Sequence, residues 1–197
     1  MGRPLFLRQT HSSEGTLMKS TAQLVLPSSG IRSLLHLIIL SAAAVALPAV
    51  MHLTGAPVRW LLPMHWPVLL ASMIYGWRGG LVVGMISPLA NHMITGYPMP
   101  AVLAAMTLEL GCYGFFGGFL REVMGWPVRT AMITAIIIGR TVFILWILAV
   151  GAYAADFVNY LVAAVAPGLM AALFQIWIIP NLSKLIIEKE REVRPRV

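Results

Sequence analysis

The chain has 197 residues, of which 59% are hydrophobic and only 11% charged, and its mean hydropathy is +0.83. A water-soluble globular domain has no use for that much apolar surface, so the composition excludes the soluble classes and leaves an integral membrane protein. The formal net charge of +7 would suggest nucleic acid in a soluble chain; here the positions of the charges account for it, and no nucleic-acid role follows.

A spanning helix takes about 20 apolar residues, so the apolar region 31–187 predicts roughly six spans in a single all-α membrane domain. Residues 1–30 are polar, basic and broken by Ser, Thr, Gly and Pro, which predicts a disordered cytoplasmic tail. The long apolar run that follows, with no cleavage site, speaks against a signal peptide. The first span is predicted over Ile31–Leu53. Its Ala42 and Ala46 share one face, a spacing that lets another helix approach closely, and Pro48 predicts a kink. Arg59 and Trp60 fall in the next loop.

The stretch from Pro63 to Pro100 predicts a membrane hairpin. A short second span covers Pro63–Tyr75, Gly76-Trp77-Arg78-Gly79 makes a tight turn, and a third span covers Gly80–Ile94 with Pro88 inside. The fourth, Ala101–Leu120, carries Gly111, Gly114, Gly117 and Gly118 and reads as a close-packing helix. The fifth opens at Pro127, after Gly125, and runs to Val150. The sixth spans Phe157–Ile179, and its apolar pattern continues past Pro180 towards a charged cytoplasmic tail, 188–197. With six spans, every Lys and Arg except Arg59 and Arg140 falls on the side of the two termini. The positive-inside rule then makes both termini cytoplasmic.

His52, His65 and His92 stand at the predicted outer ends of the first three spans, beside Met51, Met64 and Met93. Imidazole and thioether are transition-metal ligands, so His65 and His92, with His52 as a third, predict either a metal site or interfacial histidines bonded to loop carbonyls. Adjacent helix positions do not face one another, so the shared depth of the histidines carries this idea more than the Met-His pairs do. Glu109 and Arg140 are the charges inside spans. Each costs about 3 kcal/mol to insert unpaired, and their depths differ by roughly 3 Å. They are predicted to pair or to line one cavity. Tyr113 follows one turn from Glu109; Asn91 and Tyr97 flank His92; Asn159 opens the last span. His36, Gln175 and the single cysteine, Cys112, read as structural. The chain contains no GxxxxGK[ST], HExxH or GxSxG, so nothing supports ATP binding by a P-loop, a zinc protease or a serine hydrolase.

Four segments, PMHWPVLLASMIYGWRGGLVVGMISPLANHMITGYPMP, LELGCYGFFGGFLRE, IIIGRTVFI and APGLMAALFQIWIIPNLSKLIIEK, cover most of 63–187 in order. Together they resemble the substrate-binding (S) component of energy-coupling factor transporters, the importers of vitamins and micronutrients in prokaryotic cytoplasmic membranes. The resemblance implies a six-helix bundle with cytoplasmic termini and a substrate pocket near the outer face. It also implies two kinds of partner, a transmembrane coupling protein met by Ala42 and Ala46 and a pair of cytoplasmic ATPases that use the ATP. On this reading the chain is no enzyme and carries no cofactor of its own. Its substrate-binding residues are expected among His65, Asn91, His92, Tyr97, Glu109, Tyr113, Arg140 and Asn159. Three alternatives stay open: a binder of a transition metal or a metal-tetrapyrrole of cobalamin or heme type using His65 and His92, a membrane enzyme using Glu109 and Arg140, and a membrane protein without a small ligand. The Met64-His65 pair is similar to the Met-His start of nickel and cobalt S components, but it is internal here and lacks their free terminal amine.

Overall fold

The structure is a computed structural model that describes residues 24–55, 58–151 and 157–193. Among these residues it is all-helical. In chain order the helices are α1 (Ile31–Leu53), the single turn α2 (Val58–Leu61), α3 (His65–Thr95), α4 (Pro100–Glu122), α5 (Val128–Val150) and α6 (Phe157–Val193). All but α2 are long and apolar enough to cross a membrane. The expected boundaries hold to within a few residues for α1, α4 and α5. Helix α6 runs on through Pro180 to Val193, so 188–193 extend the last helix rather than begin a separate tail.

The expected hairpin takes a tighter form than a four-residue loop. Helical geometry fails at one residue, Gly76, whose φ of 71° and ψ of −166° are open to glycine and closed to most L residues. The chain reverses there. A Cβ on Gly80 would stand 2.6 Å from the Cβ of Ser72, whereas an unbroken helix would hold these two residues about 12 Å apart along its axis. A broken helix leaves backbone groups without partners, and here neighbours supply them. The Ile74 carbonyl accepts from the Leu26 amide at 2.7 Å. The Trp77 amide, at the start of the second arm, donates to the Glu122 carboxylate at 3.2 Å.

That contact corrects the expectation for the end of the N-terminal tail. Val25 and Leu26 are buried, and Ser33 Oγ donates to the Pro27 carbonyl at 2.7 Å, so the Val25-Leu26 pair is docked against the bundle and Pro27 is tied to the first turn of α1. The apolar Val25-Leu26 pair and the orphan carbonyl of Ile74 explain why this part does not behave as the polar stretch before it predicts. Residues 1–23 lie outside the described residues.

Helix α4 lies antiparallel to the second arm of α3 along a seam of small residues. A Cβ on Gly118 would be 2.2 Å from the Trp77 nitrogen, one on Gly114 would be 2.1 Å from the Gly80 oxygen, and one on Gly84 would be 2.3 Å from the Leu110 oxygen. Without a hydrophobic driving force between helices in lipid, such close backbone packing supplies the attraction. Helix α3 is accordingly the centre of the bundle, with 67% of its most apolar window buried, against 11% for α1 at the edge.

Alanine at Gly76 should cost about 3 kcal/mol, because its Cβ would sit 1.8 Å from Glu122 Oε2 and displace that carboxylate from the turn. Alanine at Gly96, which has a similar φ of 77° and nothing within 4 Å, should cost about 1 kcal/mol. Thermal unfolding of the two purified variants measures the difference; equal losses would show that the Glu122 contact contributes nothing.

Candidate functional site

The short first arm of α3 sets the depth of the site. At about 1.5 Å per residue, His65 lies roughly 16 Å from the reversal at Gly76, while His92 on the second arm lies roughly 24 Å from it. The shared depth expected for the histidines is therefore not found. His65 sits beside α4, 2% exposed, with its ring 5.4 Å from that of Tyr113. His92 stands in the last turn of α3, where its Nδ1 is paired with the Pro98 carbonyl at 2.9 Å. His52 is exposed and stacks on Tyr97 at 5.3 Å. The three form no cluster. Among the described residues no group of three or more His, Cys, Asp or Glu is arranged to hold a metal ion.

Glu109 and Arg140 do both things expected of them: they pair, and they line one cavity. Glu109 Oε1 accepts from Tyr113 Oη at 2.8 Å, one helical turn away on the same face of α4. The same oxygen lies 3.2 Å from Arg140 Nη2 and 3.9 Å from His65 Nε2. Two glycines make this convergence feasible. A Cβ on Gly139 would be 2.3 Å from the Tyr113 ring, so α5 can approach α4 and bring the adjacent Arg140 to Glu109. A Cβ on Gly168 would be 2.5 Å from Arg140 Nη2, so α6 leaves room for the guanidinium. The guanidinium carbon also lies 5.5 Å from the centre of the Phe143 ring, within reach of a cation–π attraction.

These groups form the floor of a cleft of about 630 Å³, a size suited to a small organic molecule. Its walls are mostly apolar: Met64, Met106, Phe143, Pro48 and Pro98 contribute. Asn91, buried, and His52 with Tyr97 line it further out. Above it, Trp66 Nε1 donates to the Leu61 carbonyl at 2.8 Å and ties α2 to the start of α3. Leu62, with φ 43°, turns the chain from α2 down to His65.

Of the residues expected to bind substrate, His65, Asn91, Tyr97, Glu109 and Arg140 line this cleft. Tyr113 supports Glu109 from behind. His92 and Asn159 lie outside the lining. The aromatic and thioether wall was not anticipated. Phe143 follows Arg140 by three positions, the spacing that puts both on one helical face, and that signal was available in the sequence.

Among the described residues that line this cleft, the buried side-chain atoms left without a hydrogen bond are on His65. Neither of its ring nitrogens has a hydrogen-bond partner among the described residues, although both are buried. Buried polar groups are normally paired, so an imidazole of this kind at the floor of a cleft is disposed to bond a ligand. No family model matches the chain, and no curated protein or solved structure does so either.

Replacing Arg140 with Met should cost about 3 kcal/mol, since it strands the buried Glu109 charge. The double variant Glu109→Gln, Arg140→Met should cost clearly less than the two single changes summed. Unfolding of all three variants closes the cycle, and additive costs would show that the two side chains are not energetically coupled.

Proposed function

We propose that the protein is the solute-capturing subunit of an energy-coupling factor importer, binding a vitamin-like or cofactor-like compound from the extracytoplasmic side of a prokaryotic cytoplasmic membrane. The observation that carries this reading is the apolar cleft with a polar floor, where Arg140, Glu109 and His65, whose ring nitrogens lack a hydrogen bond among the described residues, meet. Such a cleft suits a ligand with an apolar body and one polar head. Met64, Met106 and Phe143 would take the body. The head would meet donors on Arg140, an acceptor on Glu109, and either function on neutral imidazole.

On this reading the segment from α2 through the first arm of α3 counts as one transit and the second arm as another, which gives six, and both termini are cytoplasmic. The distribution of basic residues supports that orientation: Arg78, Arg121, Arg129 and Lys184 then share the cytoplasmic side. The cleft opens on the opposite side. Lacking a P-loop, the chain depends on partners for energy, a transmembrane coupling protein and two ATPases. Ala42 and Ala46 are exposed on α1 rather than packed inside the bundle, which leaves them free for the coupling protein.

Mass spectrometry of small molecules released from the purified protein should detect one organic compound near stoichiometric amount. His65→Ala should weaken its rebinding about tenfold or more, while His92→Ala should leave it nearly unchanged. Absence of any co-purifying compound, together with unaltered cellular uptake of vitamins on deletion, would remove the proposal. The coupling role is separable. Leucine at both Ala42 and Ala46 should abolish uptake but retain ligand binding, and retained uptake would sink it.

A further inference from the structure

A second cleft lies at the other end of α4 from Glu109. It has a volume of about 460 Å³ and is formed by the α4–α5 connection and the last turns of α6. Arg121, Arg129, Lys184 and Arg191 line it, with Glu188 as the acid among the lining residues. Other nearby carboxylates are turned to different tasks: Glu122 caps the reversal at Trp77, and Glu190 faces His36 at 3.8 Å. Glu188 stands 3.8 Å from Lys184 in a largely exposed pair of neighbouring turns, an arrangement worth little in water. The cleft therefore keeps a strong excess of positive charge.

Arg121 is the deepest of these cations. Its Nη2 donates to the Leu24 carbonyl at 3.2 Å and its Nη1 to the Trp126 carbonyl at 3.4 Å. Neutral carbonyls fix the plane of the guanidinium without cancelling its charge. Arg191, an exposed cation on α6, lines the same cleft. Like charges gathered around a cleft are stabilised by an anion between them, and arginine forks match the geometry of phosphate oxygens. Val128, Ile187 and Pro180 give the same cleft an apolar side. Basic pockets between helices at a membrane surface suit phospholipid headgroups on these physical grounds.

We propose that this cleft is a binding site for a phosphate group, carried by an anionic phospholipid of the adjacent leaflet or present as free phosphate. Arg121 forms its inner wall, and Arg129, Lys184 and Arg191 close over the anion from the exposed side. The site stands apart from the apolar cleft and does not depend on what that cleft binds.

The test uses the full chain purified in neutral detergent and its thermal unfolding midpoint. Phosphatidylglycerol should raise the midpoint by several degrees more than phosphatidylcholine at equal concentration. The double variant Arg129→Gln, Lys184→Gln, at exposed positions, should lose at least half of that gain. Arg32→Gln, Lys189→Gln removes the same charge outside the cleft and should keep the gain. Should the first variant fold poorly, Arg129→Gln alone should show a smaller loss in the same direction. Inorganic phosphate, compared with chloride at matched ionic strength, identifies the source: a full gain with phosphate assigns the free anion, and a gain with phosphatidylglycerol alone assigns the lipid. Equal effects of the two lipids together with equal effects of the two salts would overturn the proposal. So would equal loss in both double variants, which would reduce the cleft to diffuse surface charge.

Discussion

The reversal at Gly76 is the constraint on which the rest of the bundle depends. One residue with positive φ folds α3 back on itself, and the two backbone groups stranded by the break are completed from elsewhere, by the Leu26 amide and the Glu122 carboxylate. Each completion does a second job. The Leu26 contact fastens the segment before α1 to the end of the hairpin. The Glu122 contact fastens the end of α4, with a negative charge placed at the N-terminus of the second arm, where the helix dipole favours it. The small-residue seam then aligns α4 with that arm. The register of Glu109 and Tyr113 against His65 follows from a turn far below them.

The polar floor is an expensive thing to build at that depth. Burying an ion pair forfeits hydration that attraction between the charges only partly returns. Glu109 is compensated by three groups on one oxygen, at distances from 2.8 to 3.9 Å. Arg140 retains partial exposure to the cleft, with 17% of its side chain accessible. A pair of well-packed apolar side chains would serve stability as well or better. The retention of charge here, beside an imidazole whose nitrogens make no hydrogen bond among the described residues, accords with the proposed role of the floor in contacting a ligand.

Much of this was legible in the sequence. Hydropathy and punctuation located the helices because the bilayer dictates their length and Pro, Gly and charge mark their ends. Glu109 and Arg140 announced themselves as charges where charges are costly. The histidines did not sort themselves in the same way. Their common place at predicted helix starts or ends suggested a common depth. Only the unequal arms of α3, a tertiary fact set by where α2 and Leu62 lead into the bundle, separate buried His65 from peripheral His92. The docking of Val25 and Leu26 was hidden for a related reason: the acceptor for Leu26 exists only because a helix distant in sequence breaks at Ile74–Gly76. The clustering of Arg121, Arg129, Lys184 and Arg191 was likewise unreadable as a cleft, since a topological rule assigns these residues a side but not a neighbour.

The short first arm has a consequence for permeation. Its roughly 16 Å is about half of the apolar thickness of a bilayer. On the proposed function, a solute resting against His65 would have descended about half the insulating layer without any helix moving. What remains below it is a plug, the tightly buried run Ala71, Ser72, Met73, Ile74 and Tyr75. On that reading the seal against leakage would be concentrated in that plug and in the turn that anchors it.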